Sequence, residues 1–316
     1  MNKLLIATVT AAGLTAWCAF SFQAQAQDSS KTFAMVPKLV GVPFYADVEK
    51  GCTEEAKKLH VTCLFTGPTQ ADEAQQAQVV RDLVTKGVAG IAIAPNNPES
   101  IASAIAAAQA KGIPVITFDS DAPKSKRTSF VGTNNEEGGV EGGKAFKAAL
   151  PKGGTYAIIT GGLAADNLNA RIKGFKSAIG SGFTEVAGSP FPCDDDSNKA
   201  IQLIQDVLTK NPNLSGIFYS GGWPMFAPEA YTRALQAHAA DIKSGKFVVV
   251  SFDTLTSQLK LLKSGLATTL IGQRPYKMGT QSVDLLDKLS QKQSVPPIVD
   301  TGVDVVDAKN VDTFLK

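Results

Sequence analysis

The sequence predicts an α/β protein built from two similar, doubly wound parallel-sheet halves. Three observations carry this. Short apolar runs alternate with helix-period segments along the chain, the beat of a parallel sheet with crossover helices. The runs are apolar on consecutive residues, as in strands buried on both faces. The pattern starts afresh near Thr128–Asn135, with no Pro/Ser-rich tether between the copies.

In order, Lys31 to Val36 is the first strand and Pro37 to Tyr45 reads as a loop. Val48, Cys52, Ala56 and Leu59 then recur at helical spacing. Val61 to Phe65 is the second strand. Ala74 to Val84 is a helix with Ala77, Val80 and Leu83 on one face, and Gly90 to Ala94 is the third strand. Ile101 to Ala110 is a helix ended by Lys111-Gly112. The fourth strand opens at Ile113-Pro114 and runs into Asp119-Ser120-Asp121. Thr128 to Val131 is extended, and Gly132-Thr133-Asn134-Asn135 reads as a crossing.

The second copy begins with a helix, Glu136 to Leu150. Strands follow at Thr155–Thr160, Thr184–Ala187, Gly216–Tyr219, Phe247–Phe252 and Thr268–Ile271. Helices lie at Arg171–Ile179, Ala200–Leu208, Glu229–Ala239, Leu259–Leu262 and Met278–Leu289. Val295 to Val306 is extended and a candidate to cross back. The cleft between two such halves is the default ligand site.

Composition narrows the function. A chain of 316 residues with 44% hydrophobic content, mean hydropathy +0.01 and net charge +2 is globular and offers no basic surface for nucleic acid. Lys3, the mostly apolar stretch Leu4–Phe22 and Ala24-Gln25-Ala26 make a signal peptide over residues 1–26, cleaved after Ala26. Lipidation at Cys18 is the alternative, disfavoured because Trp17 stands where a small residue is needed. An exported chain meets an oxidising compartment. Cys52, on a predicted helix, and Cys63, on the strand after it, are expected to form a disulfide, against the alternative of two buried free thiols. Cys193 is expected to be a partly buried thiol beside a loop.

The candidate site comes from the strand tips and adjoining loops: Phe44 and Tyr45; Asp119 and Asp121; Asp166, Asn167 and Arg171; Trp223; Asp253; Gln273; and, more weakly, Lys38. Aromatic faces can stack on C–H groups, while Asp, Asn, Gln and Arg are planar hydrogen-bonding forks. A neutral polyol needs both. Each residue alone also has a structural reading. Phe44 and Tyr45 can be core, Asp119 a cap or turn residue, Arg171 and Lys38 solvated, and Trp223, after two glycines, an exposed loop residue. Asp194-Asp195-Asp196 is explained by capping of the following helix rather than by a cation site. His60 and His238, the only two histidines, sit in unrelated contexts. Nucleophile elbow, phosphate loop and dinucleotide fingerprint are all missing from the sequence, so no enzyme, metal or cofactor is expected.

Pro43-Phe44-Tyr45, Gly112-Ile-Pro-Val-Ile-Thr-Phe-Asp119, Arg171-Ile-Lys-Gly-Phe175, Ser251-Phe-Asp253 and Leu270-Ile-Gly-Gln273, in this order behind a signal peptide, resemble the periplasmic sugar-binding proteins of ABC importers. The likeness is to the type I fold and its ribose-binding group. It implies that Phe44 and Tyr45 stack on a sugar, and that Asp119, Arg171, Asp253 and Gln273 bind its hydroxyls or ring oxygen. It implies a three-segment hinge near Val131–Asn134, Gln273 and Thr301. The domains would then be 27–133 with 274–301, and 134–273 with 302–316. Val42, Ser120 and Gly221 depart from the ribose pattern, which puts D-ribose itself in doubt. Pro37–Val42, the Asp119-Ser120-Asp121 tip and Asp166-Asn167 look like the autoinducer-2-binding branch. Arg171 and Trp223 look more like a pyranose binder. The resemblance implies a periplasmic, non-enzymatic receptor for a monosaccharide or sugar alcohol. Its partner would be an inner-membrane ABC permease; whether a chemoreceptor is a second partner stays open. An autoinducer-2-like furanose is the alternative ligand. A repressor-like sugar sensor and a secreted sugar-modifying enzyme are weaker rivals.

Overall fold

The computed structural model describes residues 31–315; the expected signal peptide and Cys18 lie outside the described residues. The first part of the chain runs β1 (Thr32–Val36), α1 (Pro43–Lys58), β2 (Thr62–Phe65), α2 (Glu73–Lys86), β3 (Gly90–Ile93), α3 (Pro98–Ala110), β4 (Val115–Phe118) and β5 (Phe130–Gly132). Then come α4 (Asn135–Ala149), β6 (Gly154–Thr160), α5 (Asp166–Ile179), β7 (Phe183–Glu185), β8 (Phe191–Pro192), α6 (Ser197–Lys210) and β9 (Gly216–Tyr219). After a 3-10 turn at Trp223–Phe226 follow α7 (Pro228–Ala234), a second such turn at Gln236–His238, α8 (Ala239–Ser244), β10 (Val248–Phe252), α9 (Thr256–Lys263) and β11 (Thr269–Gly272). The chain closes with α10 (Pro275–Ser290), β12 (Ile298–Asp300), β13 (Asp304–Asp307) and α11 (Val311–Phe314).

Two sheets result. One has the order β12-β5-β4-β3-β1-β2, the other β13-β11-β10-β9-β6-β7, with β8 paired to the far end of β6. Within the first sheet every pairing is parallel. In the second only β13 runs antiparallel, against β11. The chain passes between sheets after β5, after β11, and between β12 and β13.

The consecutive apolar runs are explained by helices on both faces of each sheet. Phe33 and Met35 enter one core with α1 and α10, while Ala34 and Val36 enter another with α2 and α3. That is the period-two alternation of a strand with no solvent face. The second sheet repeats the plan. Ile158, Phe218 and Val250 pack toward α4 and α5, and Ile159, Tyr219 and Val249 pack toward α6 to α9.

Three local expectations change. α1 begins at Pro43 rather than after Tyr45, because proline pre-set in φ suits the first helical turn, where its missing N–H costs nothing. Phe44 and Tyr45 are thus helical. The predicted helix Glu229–Ala239 is split into α7, a 3-10 turn and α8. The strand Thr184–Ala187 is shorter, and β8 joins the same edge. Cys52 of α1 and Cys63 of β2 are disulfide-bonded with Cα atoms 5.9 Å apart. Cys193 is free and fully buried, more so than expected.

Candidate functional site

Parallel strands deliver their C-terminal ends to one edge, and ligands of open α/β sheets bind there. β4 ends in Asp119, β10 in Asp253 and β11 in Gln273. Asp119 and Asp253 hold matching places, each following a phenylalanine on the third strand of its sheet in the order above. Both adopt left-handed backbone, φ 57° and 73°, which aspartate tolerates better than most residues. The N-terminal turn of α1 brings Phe44 and Tyr45. That of α5 brings Asn167 and, one turn on, Arg171. Lys38 comes from the loop after β1 and Trp223 from the 3-10 turn after β9.

These residues surround one cavity between the two halves. Its lining is Lys38, Phe44, Tyr45, Asp119, Asn167, Arg171, Trp223, Asp253 and Gln273, joined by Leu39, Val42, Leu168, Asp195, Gly221 and Phe226.

Arg171 is the centre of a buried network. Its Nε donates to Asn135 Oδ1 at 2.8 Å, Nη1 to the Ser220 carbonyl at 2.9 Å and Nη2 to Gln273 Oε1 at 2.6 Å. Its guanidinium lies 4.1 Å from the centre of the Phe252 ring. Gln273 Nε2 donates to Asp253 Oδ1 at 2.7 Å, and the Gly222 amide donates to Asp253 Oδ2 at 3.1 Å. Thr133, at the first crossing, also donates to Gln273 Oε1. Across the cavity Tyr45 donates its hydroxyl to Asp119 Oδ2 at 2.8 Å. Asn167 joins the halves: its Nδ2 donates to Asp119 Oδ1 at 3.3 Å and its Oδ1 accepts from Lys38 Nζ at 2.8 Å.

Burial governs the electrostatics. It pushes the Asp253 carboxyl above its ordinary value, opposed by Arg171 and by the Gln273 hydrogen bond. It pushes Asp195 up in the same way, with Lys38 the main opposing charge. Burial lowers Arg171, while Asp119 and Asp253 act to keep it charged. Burial and then Asp119 raise Tyr45, so its hydroxyl stays a donor. The arrangement offers aromatic walls, charged donors and carboxylate acceptors in a desolvated space. Among the described residues lining it there is no histidine, serine or cysteine side chain.

Two predicted residues sit elsewhere. Asp121 is taken up by Arg127, whose Nε and Nη2 donate to its two oxygens at 2.8 and 2.6 Å, and by Thr117 at 2.6 Å. It fastens the end of β4 to the segment before β5 and does not reach the cavity. Asp166 precedes Asn167 on α5, and the turn of the helix carries it into a neighbouring groove shared with Asp121. Burial, and then the Asp121 charge, raise its pKa. Trp223 is not exposed; it is 8% accessible and folds over Gly221, where a Cβ would lie 2.3 Å from the ring. Phe226 and Asp195 are the notable additions. Phe226 packs against the core clusters of both halves. Of the three consecutive aspartates, Asp196 caps α6, Asp194 pairs with Lys199, and Asp195 alone faces the cavity.

Comparison with known proteins agrees with this fold. Residues 33–294 match the family model described as a periplasmic binding protein domain. The D-allose-binding periplasmic protein of Escherichia coli K12 is 29% identical, over 84% of this chain and 86% of that one. The ribose import binding protein RbsB of Salmonella typhimurium is also 29% identical, over 93% and 95%. Among solved structures, an ABC transporter solute-binding protein from Burkholderia graminis in complex with D-arabinose superposes with a TM-score of 0.82. It is 36% identical and the match covers 92% of this chain and all of that one. With its two sheets, parallel but for β13, three crossings and a cavity between the halves, the chain belongs to the periplasmic binding protein domain family.

Proposed function

We propose that the chain is the exported receptor of an ABC-type importer and captures a neutral monosaccharide or sugar alcohol in the cavity between its halves. The observation that carries this is the make-up of the lining. Aromatic walls from Phe44 and Trp223 enclose planar donors and acceptors from both halves, Asp119, Asn167, Arg171, Asp253 and Gln273. Flat apolar faces match the C–H faces of a sugar ring, and the forks match hydroxyls that donate and accept. Relatives named for D-allose, ribose and D-arabinose support the same reading and favour it over a signalling furanose. Residues 27–133 with 274–301 form one moving body and 134–273 with 302–316 the other, hinged at the three crossings. Closure brings Phe44 and Tyr45 onto the ring and shuts out water, which strengthens each hydrogen bond. The signal peptide is removed after Ala26, the mature chain works in the periplasm, and the closed form docks on an inner-membrane permease. The ligand leaves unchanged.

A thermal-shift screen of pentoses, hexoses, sugar alcohols and autoinducer-2 tests this. A ligand that binds only the folded chain raises stability by ~2.7 kcal/mol at a hundredfold excess over Kd. The expected result is a hit among the sugars or polyols, abolished by Asp119→Ala or Arg171→Ala and recovered chemically intact. A flat panel from folded protein, or a converted sugar, overturns it.

A further inference from the structure

The cavity's carboxylates are satisfied with one exception. Asp119 accepts from Tyr45 on one oxygen and Asn167 on the other; Asp253 accepts from Gln273 and from the Gly222 amide. Asp195 is 7% exposed and lines the same cavity, yet its Oδ1 is buried with no hydrogen-bond partner. The cation that most offsets its charge, Lys38, gives its hydrogen bond to Asn167 instead. A buried acceptor left unmade is destabilising, and more so when charged.

The local structure holds Asp195 in that position against a further cost. Asp194 and Asp195 both adopt left-handed backbone, at φ 52° and 60°, in the turn between β8 and α6. Consecutive non-glycine residues in that region are unfavourable and persist only where the surroundings fix them. Opposite them stands Gly161, at the end of β6. A Cβ there would lie 2.1 Å from Asp195 Oδ1 and 2.9 Å from Trp223. The space around the carboxylate is therefore cleared by a glycine on one side and set by a strained turn on the other. Local folding alone needs neither, since Asp196 already caps α6.

We propose that Asp195 is a specificity-determining residue, accepting a hydrogen bond from one ligand hydroxyl on the Trp223 side of the cavity. The inference rests on the sugar-capture reading and narrows its substrate class. The ligand is a neutral sugar or polyol with a free hydroxyl at that position. Its counterpart deoxygenated there leaves the acceptor unpaired and is rejected, as sites built to bond a hydroxyl reject analogues without one. Anionic sugars are rejected too, because Lys38 and Arg171 already face Asp119, Asp195 and Asp253.

Isothermal titration of the mature protein tests this with D-arabinose, D-ribose, D-allose and D-galactose, their monodeoxy forms and D-galacturonate. Wild type, Asp195→Asn and Asp195→Ala are compared. In the wild type one monodeoxy form of a bound sugar is expected to lose at least about tenfold in affinity, and galacturonate does not bind. In Asp195→Ala the parent sugar weakens by at least about tenfold. The deoxy penalty at that one position falls within about twofold, and penalties at other ring positions stay. A residue that only shaped the loop would not erase a single position's penalty. Both variants, unliganded, are expected to melt no lower than wild type, since the change removes an unpaired buried charge. If sugars bind and the variants keep both the affinity and the single-position penalty, this inference is overturned while sugar capture stands. If no probe binds the folded wild type, sugar capture fails and the inference falls with it.

Discussion

Lys38 and Asn167 are 129 residues apart and belong to opposite sides of the cleft, yet Lys38 Nζ donates to Asn167 Oδ1 at 2.8 Å, both side chains buried. The same amide donates to Asp119 on the first side. One asparagine at the start of α5 thus bridges two residues of the facing half.

Asn167→Ala removes both bridges and leaves Lys38 without its partner. The expected outcome is a weaker hold on the closed form. The radius of gyration of the unliganded protein should rise in small-angle X-ray scattering. Sugar affinity should fall at least about tenfold, the effect of roughly one lost charge-assisted hydrogen bond. An unchanged scattering curve together with unchanged affinity would remove Asn167 from the closing machinery.

Arg171 presents a fork to three acceptors on three elements and its face to Phe252. Arg171→Ala strands these acceptors in a dry site and is expected to cost about 3–5 kcal/mol of stability. Arg171→Lys keeps the charge but not the planar fork, and should recover only part of that loss. Urea unfolding of the two variants checks the order. A lysine variant as stable as wild type would show that charge alone matters.

Much of this site was legible in the sequence, and the exceptions share a cause. Phe118-Asp119 and Phe252-Asp253 could be read because the same carboxylate ending recurs on apolar runs in both halves, although either alone could be a cap or turn. Asn167 and Arg171 could be read from helical spacing. Asp121, Asp166 and Asp195 could not be placed, because each has a chemically similar neighbour and only backbone geometry separates them. Asp121 lies two residues beyond Asp119 but is claimed by Arg127, and Asp166 is one helical step from Asn167. Asp195 sits between a cap and an ion-paired aspartate, turned inward by a positive φ that no residue pattern announces. The two parallel, doubly wound sheets were accessible from the alternating pattern, but not their strand orders. The antiparallel β13 was not, since two short extended segments separated by a glycine turn read alike in either direction.

Acid should stabilise the unliganded protein at first. Burial raises the carboxyls of Asp166, Asp195 and Asp253 above the ordinary 3.8. A folded pKa above the unfolded one means the native state binds the proton more tightly. The stability so gained is complete below 3.8 and is lost as pH rises through the raised folded values. The melting temperature is therefore expected to climb as pH falls through the raised folded values toward about 4, before general acid unfolding takes over. Asp195→Asn should show a smaller climb. Calorimetry of both proteins across that range decides it. Identical profiles, falling from neutrality, would mean these carboxylates do not govern the dependence.

The disulfide makes a separate prediction, because it ties α1 to the edge strand β2 across a sequence separation of 11. Closing a loop of about that size in the unfolded chain stabilises the native state by roughly 3 kcal/mol in the chain-entropy treatment. Replacing both Cys52 and Cys63 by serine should lower the urea midpoint accordingly without abolishing sugar binding, since neither lines the cavity. Cys193 supplies an internal control. It is fully buried, and burial pushes its thiol well above the ordinary range, so it should not react with a thiol reagent in the native chain prepared without residues 1–26. A single reactive thiol should appear on denaturation of the oxidised protein, and two more only after reduction. Three thiols on denaturation alone would mean that Cys52 and Cys63 remain reduced, and that α1 is held to β2 by packing only.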